Sequence, residues 1–372
     1  MASIETQNNY RIMISGGGTG GHIYPAIAIA NAWKEKYPDS EILFVGAEGK
    51  MEMQKVPEAG YSIVGLKVAG LQRSLSLKNL SFPFKLMDSL KLSRRLIQNF
   101  RPHAVVGVGG YASGPLLYMA QRKHIPTLIQ EQNSYAGLTN KLLAKKAAAI
   151  CVAYPGMESF FPAVKIRYTG NPVRKDILSL EGKVEQAFLN FGLERSKPVL
   201  LVLGGSLGAK TINEAVLKNM EEFEALGYQV LWQTGKYYYR DMKAKLDTSG
   251  LKHVHALEFI KNMDLAYAAA DLVISRAGAL SVSELCLAGK AVVFIPSPNV
   301  VDDHQTKNAM ALVKKNAAAI LRDSDAVQSL LPMVEELMKD PAGRMRLAEN
   351  ISKMAKPDAA KEIVGELEKL IK

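Results

Sequence analysis

The stretch Asp271 to Gly289, DLVISRAGALSVSELCLAG, decides the class of fold. Its apolar run Leu272 to Ile274 predicts a strand, small residues predict a tight loop, and a helix is expected to open near Ser281. Lys290 to Ile295 predicts the next strand. This order is typical of a parallel sheet, in which ligands bind beyond the carboxyl ends of the strands.

The predicted start of this helix suits a diphosphate. Free N–H groups and about half a positive charge at a helix N-terminus attract anions. Glu284 lies one turn into the helix, where its carboxylate can accept hydrogen bonds from the two hydroxyls of a ribose. The alternative is a capping box, Ser281-x-x-Glu284, in which the glutamate reaches back to the cap N–H. The stretch alone leaves both interpretations open.

The composition predicts a two-domain α/β protein. The chain has 372 residues, 48% of them apolar, which is more than one ordinary core needs. Its 47 Lys and Arg exceed its 36 Asp and Glu, so nucleic acid, anionic membrane or a phosphorylated substrate is a favoured partner. Cys151 and Cys286 form no Cys-x-x-Cys pair and are expected to be buried thiols. Without an apolar signal core or membrane span, we expect a cytosolic chain.

The first glycine loop, Gly16 to Gly21 (GGGTGG), lies between a predicted strand, Tyr10 to Ser15, and an apolar helix. It matches the G-x-G-x-x-G dinucleotide fingerprint, whose acidic residue would be Glu48. His22 follows at the helix start, where the helix dipole disfavours the imidazolium and favours a neutral general base. The alternative is a histidine that only packs or caps.

Residues 66–101 hold eight basic residues and one acid, interleaved with Leu, Met and Phe. Basic residues beside exposed apolar side chains are typical of a surface that lies on anionic lipid, for which 70–97 is the candidate. The alternative is a crossover helix with a core face and a solvated basic face. The pattern supports both equally.

Further loops follow the predicted strands. Residues 109–115 form a second glycine-rich turn, 130–133 (QEQN) a polar cluster and 204–209 a third glycine loop. Loops at the carboxyl ends of parallel strands share one edge of the sheet, which predicts a common cleft in the first half. Glu131 either belongs to that cleft or is an ordinary acid at a helix start. Residues 170–174 (GNPVR) are the predicted hinge, because Asn-Pro interrupts both strand and helix.

Metal signals are weak. Asp323-Ser324-Asp325 has the D-x-D form that can hold a divalent metal on a nucleotide diphosphate, but Asp and Ser are also ordinary helix caps, which we prefer. The polar loop 299–308 suits a sugar, or is an ordinary helix start. We predict no metal and no cofactor.

Seven motifs stand in order along the chain. They are GGGTGGH at 16–22, GVGGYASGP at 107–115, EQN at 131–133, GNPVR at 170–174, GGSLGA at 204–209, SRAGALSVSE at 275–284 and DHQTKNA at 303–309. Together they resemble the MurG family, the bacterial N-acetylglucosaminyltransferases of peptidoglycan synthesis. The resemblance spans nearly the whole chain and implies a B-type glycosyltransferase fold, with two Rossmann-like α/β domains facing across a cleft.

The resemblance implies a separate role for each of three parts of the chain. Residues 1–171 would bind the acceptor and face the membrane, 172–356 would bind the UDP-sugar, and 357–372 would form a helix that returns to the first domain. The implied reaction is inverting transfer of N-acetylglucosamine from UDP-N-acetylglucosamine to the muramyl 4-hydroxyl of undecaprenyl-diphospho-muramyl-pentapeptide (lipid I), giving lipid II. The implied location is peripheral, on the cytoplasmic face of the inner membrane, with 70–97 on the anionic surface and no nucleic acid bound.

The resemblance also assigns residues, with His22 as the catalytic base. The set expected on the acceptor side is Gly109, Gly110, Tyr111 and Glu131. The set expected on UDP-N-acetylglucosamine is Thr19, Gly20, Gly21, Asn133, Arg174, Ser206, Ile260, Ala279, Leu280, Ser281, Val282, Ser283, Glu284 and Gln305. Within it, Ser206 would meet the diphosphate and Ile260 the uracil. Glu284 would meet the ribose and Gln305 the sugar.

Two positions depart from the family's pattern. Gln130 replaces a frequent histidine before EQN, and His304 replaces the first of two glutamines, which leaves Gln305 as the single carboxamide for the sugar. Three rival functions are a dinucleotide-dependent oxidoreductase, a non-catalytic binder of anionic lipid or nucleic acid, and a glycosyltransferase with another lipid or aglycone acceptor. Three glycine loops, one of them in the second half, argue against the oxidoreductase.

Overall fold

The structure is a computed structural model, and it describes residues 9–68 and 82–372. The chain forms two compact units. The first runs to Val173 and includes the final segment, Asp358–Lys372, and the second runs from Arg174 to Pro357. Each unit is built on one parallel sheet, as the alternation of strands and helices predicts.

Within the described residues, the first sheet has seven strands in the order β3-β2-β1-β4-β5-β6-β7. The strands are β1 Arg11–Ser15, β2 Glu41–Ala47, β3 Ser62–Leu66, β4 Ala104–Gly107, β5 Thr127–Glu131, β6 Ala149–Val152 and β7 Ile166–Tyr168. The helices that follow them are α1 Gly20–Lys36, α2 Glu52–Glu58, α3 Phe82–Phe100, α4 Ser113–Arg122 and α5 Leu138–Ala144.

The central strands of this sheet are apolar on both faces because both faces are covered. Successive side chains of a strand point to opposite faces. Ile12 and Ile14 therefore pack in one core with Trp33 of α1, whereas Met13 packs in the other with Leu116 of α4. Two cores, one on each side of the sheet, hold the first unit together.

The second sheet has six strands in the described chain, in the order β10-β9-β8-β11-β12-β13. The strands are β8 Val199–Leu203, β9 Gln229–Gln233, β10 Val254–Leu257, β11 Leu272–Ser275, β12 Val292–Phe294 and β13 Ala319–Ile320. The helices of this unit are α6 Val184–Phe191, α7 Lys210–Ala225, α8 Tyr239–Ser249, α9 Met263–Ala269, α10 Ala279–Ala288, α11 His304–Val313, α12 Ala326–Lys339 and α13 Pro341–Ser352.

Strand order reverses once in each sheet, between β1 and β4 in the first and between β8 and β11 in the second. Ligands of open parallel sheets bind at such switch points. The first and second glycine loops leave β1 and β4, and the third glycine loop and the 276–278 loop leave β8 and β11. The topology thus brings the glycine-rich motifs of each unit to its own switch point.

The last helix, α14 Ala359–Ile371, belongs to the first unit and packs against α1. Its Leu367 is fully buried in the core that α1 also lines. The Glu368 carboxylate accepts hydrogen bonds from Lys36, Lys372 and Tyr37, which lower its pKa to about 2. The helix is therefore fixed to α1 by both apolar burial and ionic hydrogen bonds.

Both cysteines, Cys151 and Cys286, are buried free thiols, as predicted. Burial raises the pKa of each to about 12, which keeps the thiol protonated and unreactive. Each acts as a small apolar residue, and Cys151 packs in the core of the first unit that contains Trp33.

Candidate functional site

The helix of the decisive stretch begins earlier than expected. α10 starts at Ala279, with Gly278 as its N-cap in an extended conformation (φ −65°, ψ 147°). The predicted opening near Ser281 is therefore two residues late. The capping-box alternative is wrong, because Ser281 is the third helical residue and cannot be the cap. A glycine cap has no side chain to cover the first turn, which leaves space there for a ligand. Val282 points into the core, where it is buried.

Glu284 makes contacts that a capping box would not allow. Its carboxylate accepts a hydrogen bond from the Tyr267 hydroxyl at 3.2 Å and lies 3.6 Å from Arg174 Nε. The Glu284 side chain is 17% exposed. Burial raises its pKa, and the nearby Arg174 charge opposes that rise. The fully buried Tyr267 has a pKa well above 10, through burial and the Glu284 charge, so it stays a donor. These neighbours hold the carboxylate in one orientation.

The third glycine loop packs against the segment that follows β9, the neighbouring strand of the sheet. A Cβ added at Gly235 would lie 2.1 Å from Gly208 N, so the two backbones pack directly on each other. The Lys236 N–H donates to the Ser206 carbonyl at 3.1 Å. Ser206 itself is exposed at the turn. Ile260 is buried, and its N–H donates to Gln233 Oε1 at 2.8 Å.

Gln305 is held in place by a backbone group. It is the second residue of α11, and its amide oxygen accepts the N–H of Ser297 at 2.9 Å, just beyond β12. With the oxygen engaged in this way, the NH₂ group of the amide is the end that can donate to a ligand. The structure therefore presents Gln305 as a hydrogen-bond donor.

In the D-x-D motif, Asp323 has a role that neither interpretation predicted. The Asp323 carboxylate accepts hydrogen bonds from Arg276 and, at 2.9 Å, from the Thr211 hydroxyl. Arg276 follows β11 and Thr211 lies in the first turn of α7, so Asp323 connects the starts of two ligand-side elements. Asp325 makes no side-chain cap hydrogen bond and bonds Ser324 at 2.8 Å. Asp325 therefore occupies the N-cap position of α12, in line with the preferred interpretation, but its side chain does not cap the helix.

We expect Asp323→Asn to lower the free energy of unfolding by about 3 kcal/mol, because it leaves the largely buried Arg276 without its carboxylate. Urea unfolding of the variant measures this. Asp325→Asn is the matched control, since Asp325 is exposed, and it should unfold like the wild type. If both variants were equally stable but equally inactive, and excess Mg²⁺ restored both, the two aspartates would instead form a metal site.

In the first unit, the helix after the glycine loop also begins earlier than the sequence suggests. α1 starts at Gly20, with Thr19 as N-cap, so Gly20, Gly21 and His22 form its first turn. Thr19 Oγ1 lies 3.3 Å from His22 Nδ1. A Cβ added at Gly109 would lie 2.8 Å from His22 Nε2, so the second glycine turn lies directly against the imidazole. The structure thus brings His22 and the predicted acceptor-side turn together.

The second glycine turn needs its glycines. Gly109 and Gly110 have φ of 94° and 84°, in the left-handed region that L side chains rarely adopt. A Cβ at Gly110 would also lie 2.4 Å from the carbonyl oxygen of Gly17 in the first loop. Tyr111 follows with 59% of its surface exposed. Two glycine loops are therefore stacked backbone on backbone, with an exposed tyrosine beside them.

Glu131 lies beneath its loop. It is 2% exposed, and its carboxylate accepts the N–H groups of Asn133 at 3.1 Å and Gly137 at 3.0 Å. The Asn140 amide donates to it at 2.9 Å. Gly137 is the N-cap of α5. These contacts support the interpretation of Glu131 as an acid that holds a helix start, and its place on the acceptor side stays a prediction.

Gln130, which departs from the family's pattern, is part of a buried amide network. Its Nε2 donates to Asn171 Oδ1 at 2.8 Å, and Asn171 Nδ2 donates to the Gln132 carbonyl at 3.0 Å. Gln132 Nε2 donates to the Val108 carbonyl at 2.6 Å. The network joins β5 to Asn171, close to the point where the chain passes into the second unit. The sequence offered no sign of it, because Asn171 is 41 residues from Gln130.

The expected donor residues are divided between the units. Thr19, Gly20, Gly21 and Asn133 belong to the first, and the other ten belong to the second. Sequence reasoning missed Tyr267 and did not predict the contacts of Asp323 and Gln132. Only contacts distant in sequence reveal them.

The candidate membrane segment 70–97 is described from residue 82 onward, and 70–81 lies outside the described residues. α3 is a crossover helix, with Ser89, Ser93 and Ile97 buried. Its first turns are exposed, including Phe84 at 74% and Met87 at 54%, beside basic residues. The crossover-helix interpretation is confirmed for α3, and the membrane-surface interpretation stays a prediction. Of the helices in the described ranges, none is long and apolar enough to cross a membrane.

Comparison with known proteins places this geometry in one class. Residues 12–152 match the model of the glycosyltransferase family 28 N-terminal domain, and 199–363 match that of the C-terminal domain. Two parallel-sheet units with these matches define a family 28 glycosyltransferase with the B-type fold.

Full-length relatives narrow the class. A Parabacteroides distasonis protein named UDP-N-acetylglucosamine–N-acetylmuramyl-(pentapeptide) pyrophosphoryl-undecaprenol N-acetylglucosamine transferase is 56% identical over 97% of this chain and 98% of its own. A Cytophaga hutchinsonii protein of the same name is 54% identical, with 98% of each chain covered. The crystal structure of Acinetobacter baumannii MurG matches with a TM-score of 0.78 at 30% identity, over 97% of this chain and 99% of that one. The chain belongs to the MurG family.

Proposed function

We propose that this protein transfers N-acetylglucosamine from UDP-N-acetylglucosamine to the 4-hydroxyl of the muramyl sugar of undecaprenyl-diphospho-muramyl-pentapeptide, giving lipid II. The full-length relatives are named for this activity. The observation that carries the proposal is the start of α10, where a glycine cap leaves space for a diphosphate and Glu284 stands one turn further on. Peptidoglycan synthesis, and with it cell shape and division, is the process served.

The donor is proposed to bind the second unit. The helix starts of α7 and α10 offer N–H groups and positive dipole ends to the diphosphate. The Glu284 carboxylate, oriented by Tyr267, accepts the ribose hydroxyls, and the Gln305 NH₂ group donates to the sugar. The helix starts stabilise the negative charge that develops on UDP as it leaves, whereas Glu284 and Gln305 position the donor.

The acceptor is proposed to bind at the stacked glycine loops of the first unit, next to His22. The acceptor 4-oxygen attacks the anomeric carbon on the face opposite UDP, and the bond from that carbon to the UDP oxygen breaks. His22 takes the proton of the 4-hydroxyl, so the oxygen gains nucleophilicity as the new bond forms. One displacement of this kind inverts the anomeric configuration.

Transfer of label tests this function. UDP-N-acetylglucosamine labelled in the sugar is incubated with the lipid-linked muramyl-pentapeptide, and the label is followed into the lipid phase. We expect a disaccharide in the inverted, β configuration. Label that reaches a simple glycolipid or an aglycone, and not the muramyl acceptor, would favour the alternative of a related glycosyltransferase with another acceptor.

The acceptor lipid lies in a membrane, so we also propose that the protein binds peripherally to the cytoplasmic face of the inner membrane. The exposed Phe84 and Met87, beside Lys85 and Lys91 on α3, support this. Apolar side chains that enter the interface and basic residues that attract anionic headgroups reinforce each other.

We expect the double variant Phe84→Ser, Met87→Ser to bind anionic vesicles at least about tenfold more weakly, because two apolar side chains no longer enter the interface. Co-sedimentation with vesicles of phosphatidylglycerol and phosphatidylcholine measures the loss. Val164→Ser, which alters an 81% exposed apolar residue elsewhere in the first unit, is the control and should bind normally. Wild-type binding by the double variant would contradict a membrane role for α3.

A further inference from the structure

A buried carboxylate lies against the first glycine loop, and the mechanism above does not use it. Glu52 is the first residue of α2 and is fully buried. One of its carboxylate oxygens accepts the Ala47 N–H, at the end of β2, at 2.9 Å. The other accepts the Gly18 N–H, within the glycine loop, at 3.0 Å. A hydrogen bond from an N–H group to a carboxylate is stronger than one between two neutral groups. The Glu52 side chain therefore connects the end of β2 firmly to the glycine loop.

Two glycines make the space that this carboxylate occupies. A Cβ added at Gly17 would lie 2.0 Å from Glu52 Oε1, and one added at Gly46 would lie 2.6 Å from Glu52 Cγ. Real Cβ atoms essentially never come closer than 3.0 Å to such neighbours. Glycine in the loop and in β2 is therefore required by the position of Glu52, in addition to any contact with a ligand.

The loop held by Glu52 in turn supports the candidate base. Gly17 packs on Gly110 of the second glycine turn, as the 2.4 Å approach of an added Cβ shows. The neighbouring Gly109 lies against the His22 imidazole. His22 also follows the loop directly in the chain. Displacement of the loop would thus move His22 and the surface against which it packs.

This arrangement differs from the dinucleotide fingerprint. That fingerprint leaves its loop N–H groups to a phosphate and its acidic residue to a ribose. Here the acid that reaches the loop is Glu52, whereas Glu48, the residue expected from the sequence, is exposed. The Gly18 N–H is bonded to an anion of the chain itself. The first loop therefore has an N–H group bonded to Glu52, whereas the corresponding group of a nucleotide-binding loop would be open to its ligand.

We propose that Glu52 is a positioning residue for glycosyl transfer. Its buried carboxylate fixes the backbone of the first glycine loop and thereby the location of His22 beside Gly109. The proposal rests on the proposed function, since positioning is measured as transfer. Most of the expected donor contacts, including Glu284 and the diphosphate loops, belong to the second unit, and only Thr19, Gly20 and Gly21 lie next to the loop that Glu52 holds. The effect therefore falls on transfer to the acceptor more than on donor binding.

Glu52→Gln tests the proposal. It keeps the length of the side chain but replaces one accepting oxygen with an NH₂ group, which cannot accept from Gly18 or Ala47. We expect kcat to fall at least about tenfold, since small displacements of reacting groups cost that much. The dissociation constant for UDP-N-acetylglucosamine should change much less than kcat, because most donor contacts lie in the second unit. Glu48→Gln, the exposed matched control, should keep kcat within about twofold.

A second comparison applies even if Glu52→Gln folds poorly. Glu52→Asp keeps the charge and withdraws the carboxylate by one methylene, so a smaller loss of the same kind is expected. Gly17→Ala should lower kcat severely in the wild type, where the added methyl group overlaps the carboxylate. In a Glu52→Ala background the overlap is absent, so the same change should cost less than it does alone.

The outcomes separate positioning from stability. A Glu52→Gln protein with a lower Tm but an unchanged kcat, measured well below unfolding, would overturn the proposal. So would unchanged kcat with weaker donor binding, or equal costs of Gly17→Ala in both backgrounds. If the wild type itself transfers nothing to the muramyl acceptor, the proposed function fails first, and this proposal fails with it.

Discussion

His22→Ala is expected to lower kcat for transfer by about 10²–10⁴-fold, the usual contribution of a general base. The imidazole lies in the first turn of α1 and against Gly109, beside the predicted acceptor loops. Without it, the 4-hydroxyl proton has no positioned acceptor as the new bond forms. Steady-state kinetics with the lipid-linked acceptor measures the loss, and the dissociation constant for UDP-N-acetylglucosamine should stay the same.

His124→Asn is the control for this variant. His124 is an exposed histidine of the same unit with a φ of 58°, a conformation that asparagine tolerates. It should keep full turnover. If His22→Ala also turned over at nearly the wild-type rate, another group would have to take the proton, and the role of the first glycine loop would be limited to binding.

Glu284→Gln is expected to weaken binding of UDP-N-acetylglucosamine by about 10²-fold. A hydrogen bond to a charged group contributes about 1.5–3 kcal/mol, and the variant replaces one ribose-accepting oxygen with a donor. Calorimetric titration measures the change. Tyr267→Phe, which leaves Glu284 in place without the hydroxyl that orients it at 3.2 Å, should show a smaller loss in the same direction.

The same carboxylate predicts a dependence on pH. Burial raises the pKa of Glu284 above its ordinary value, and the protonated form accepts hydrogen bonds poorly. Donor affinity of the wild type should therefore fall as the pH drops toward that raised pKa. The fall should begin at a higher pH than it would for an exposed glutamate. In Glu284→Gln the decline should be absent, because the diphosphate of the nucleotide sugar stays ionised throughout this range. A parallel decline in both proteins would place the titrating group elsewhere.

The sequence predicted the fold well because hydrophobic periodicity and glycine punctuation are local signals. Alternating strands and helices predicted two parallel sheets, and the motifs predicted the family. The helix starts were predicted less accurately, because a glycine N-cap such as Gly278 lacks the polar side chain by which a cap is recognised in a sequence. The fixed order of the motifs, more than any single motif, distinguished this chain from a dinucleotide-binding one.

The contacts that orient the site could not be predicted in the same way. Glu284 and Tyr267 are 17 residues apart, Glu52 and Gly18 are 34 apart, and Asp323 and Thr211 are 112 apart. Each pair meets only because strands and helices pack in three dimensions. In the sequence, Glu52 is one acid among several polar residues, and Asp323 belongs to a motif that suggests a metal. Burial of a charge, which decides both roles, is a property of the fold.

Release of UDP from UDP-N-acetylglucosamine, measured with and without the lipid-linked muramyl-pentapeptide, tests the proposed reaction most directly. The wild type should release UDP only when the acceptor is present, with or without a chelator. His22→Ala should bind the donor and release almost none. If UDP binds but the muramyl acceptor elicits no release from the wild type, the donor site stands and transfer to this acceptor is contradicted.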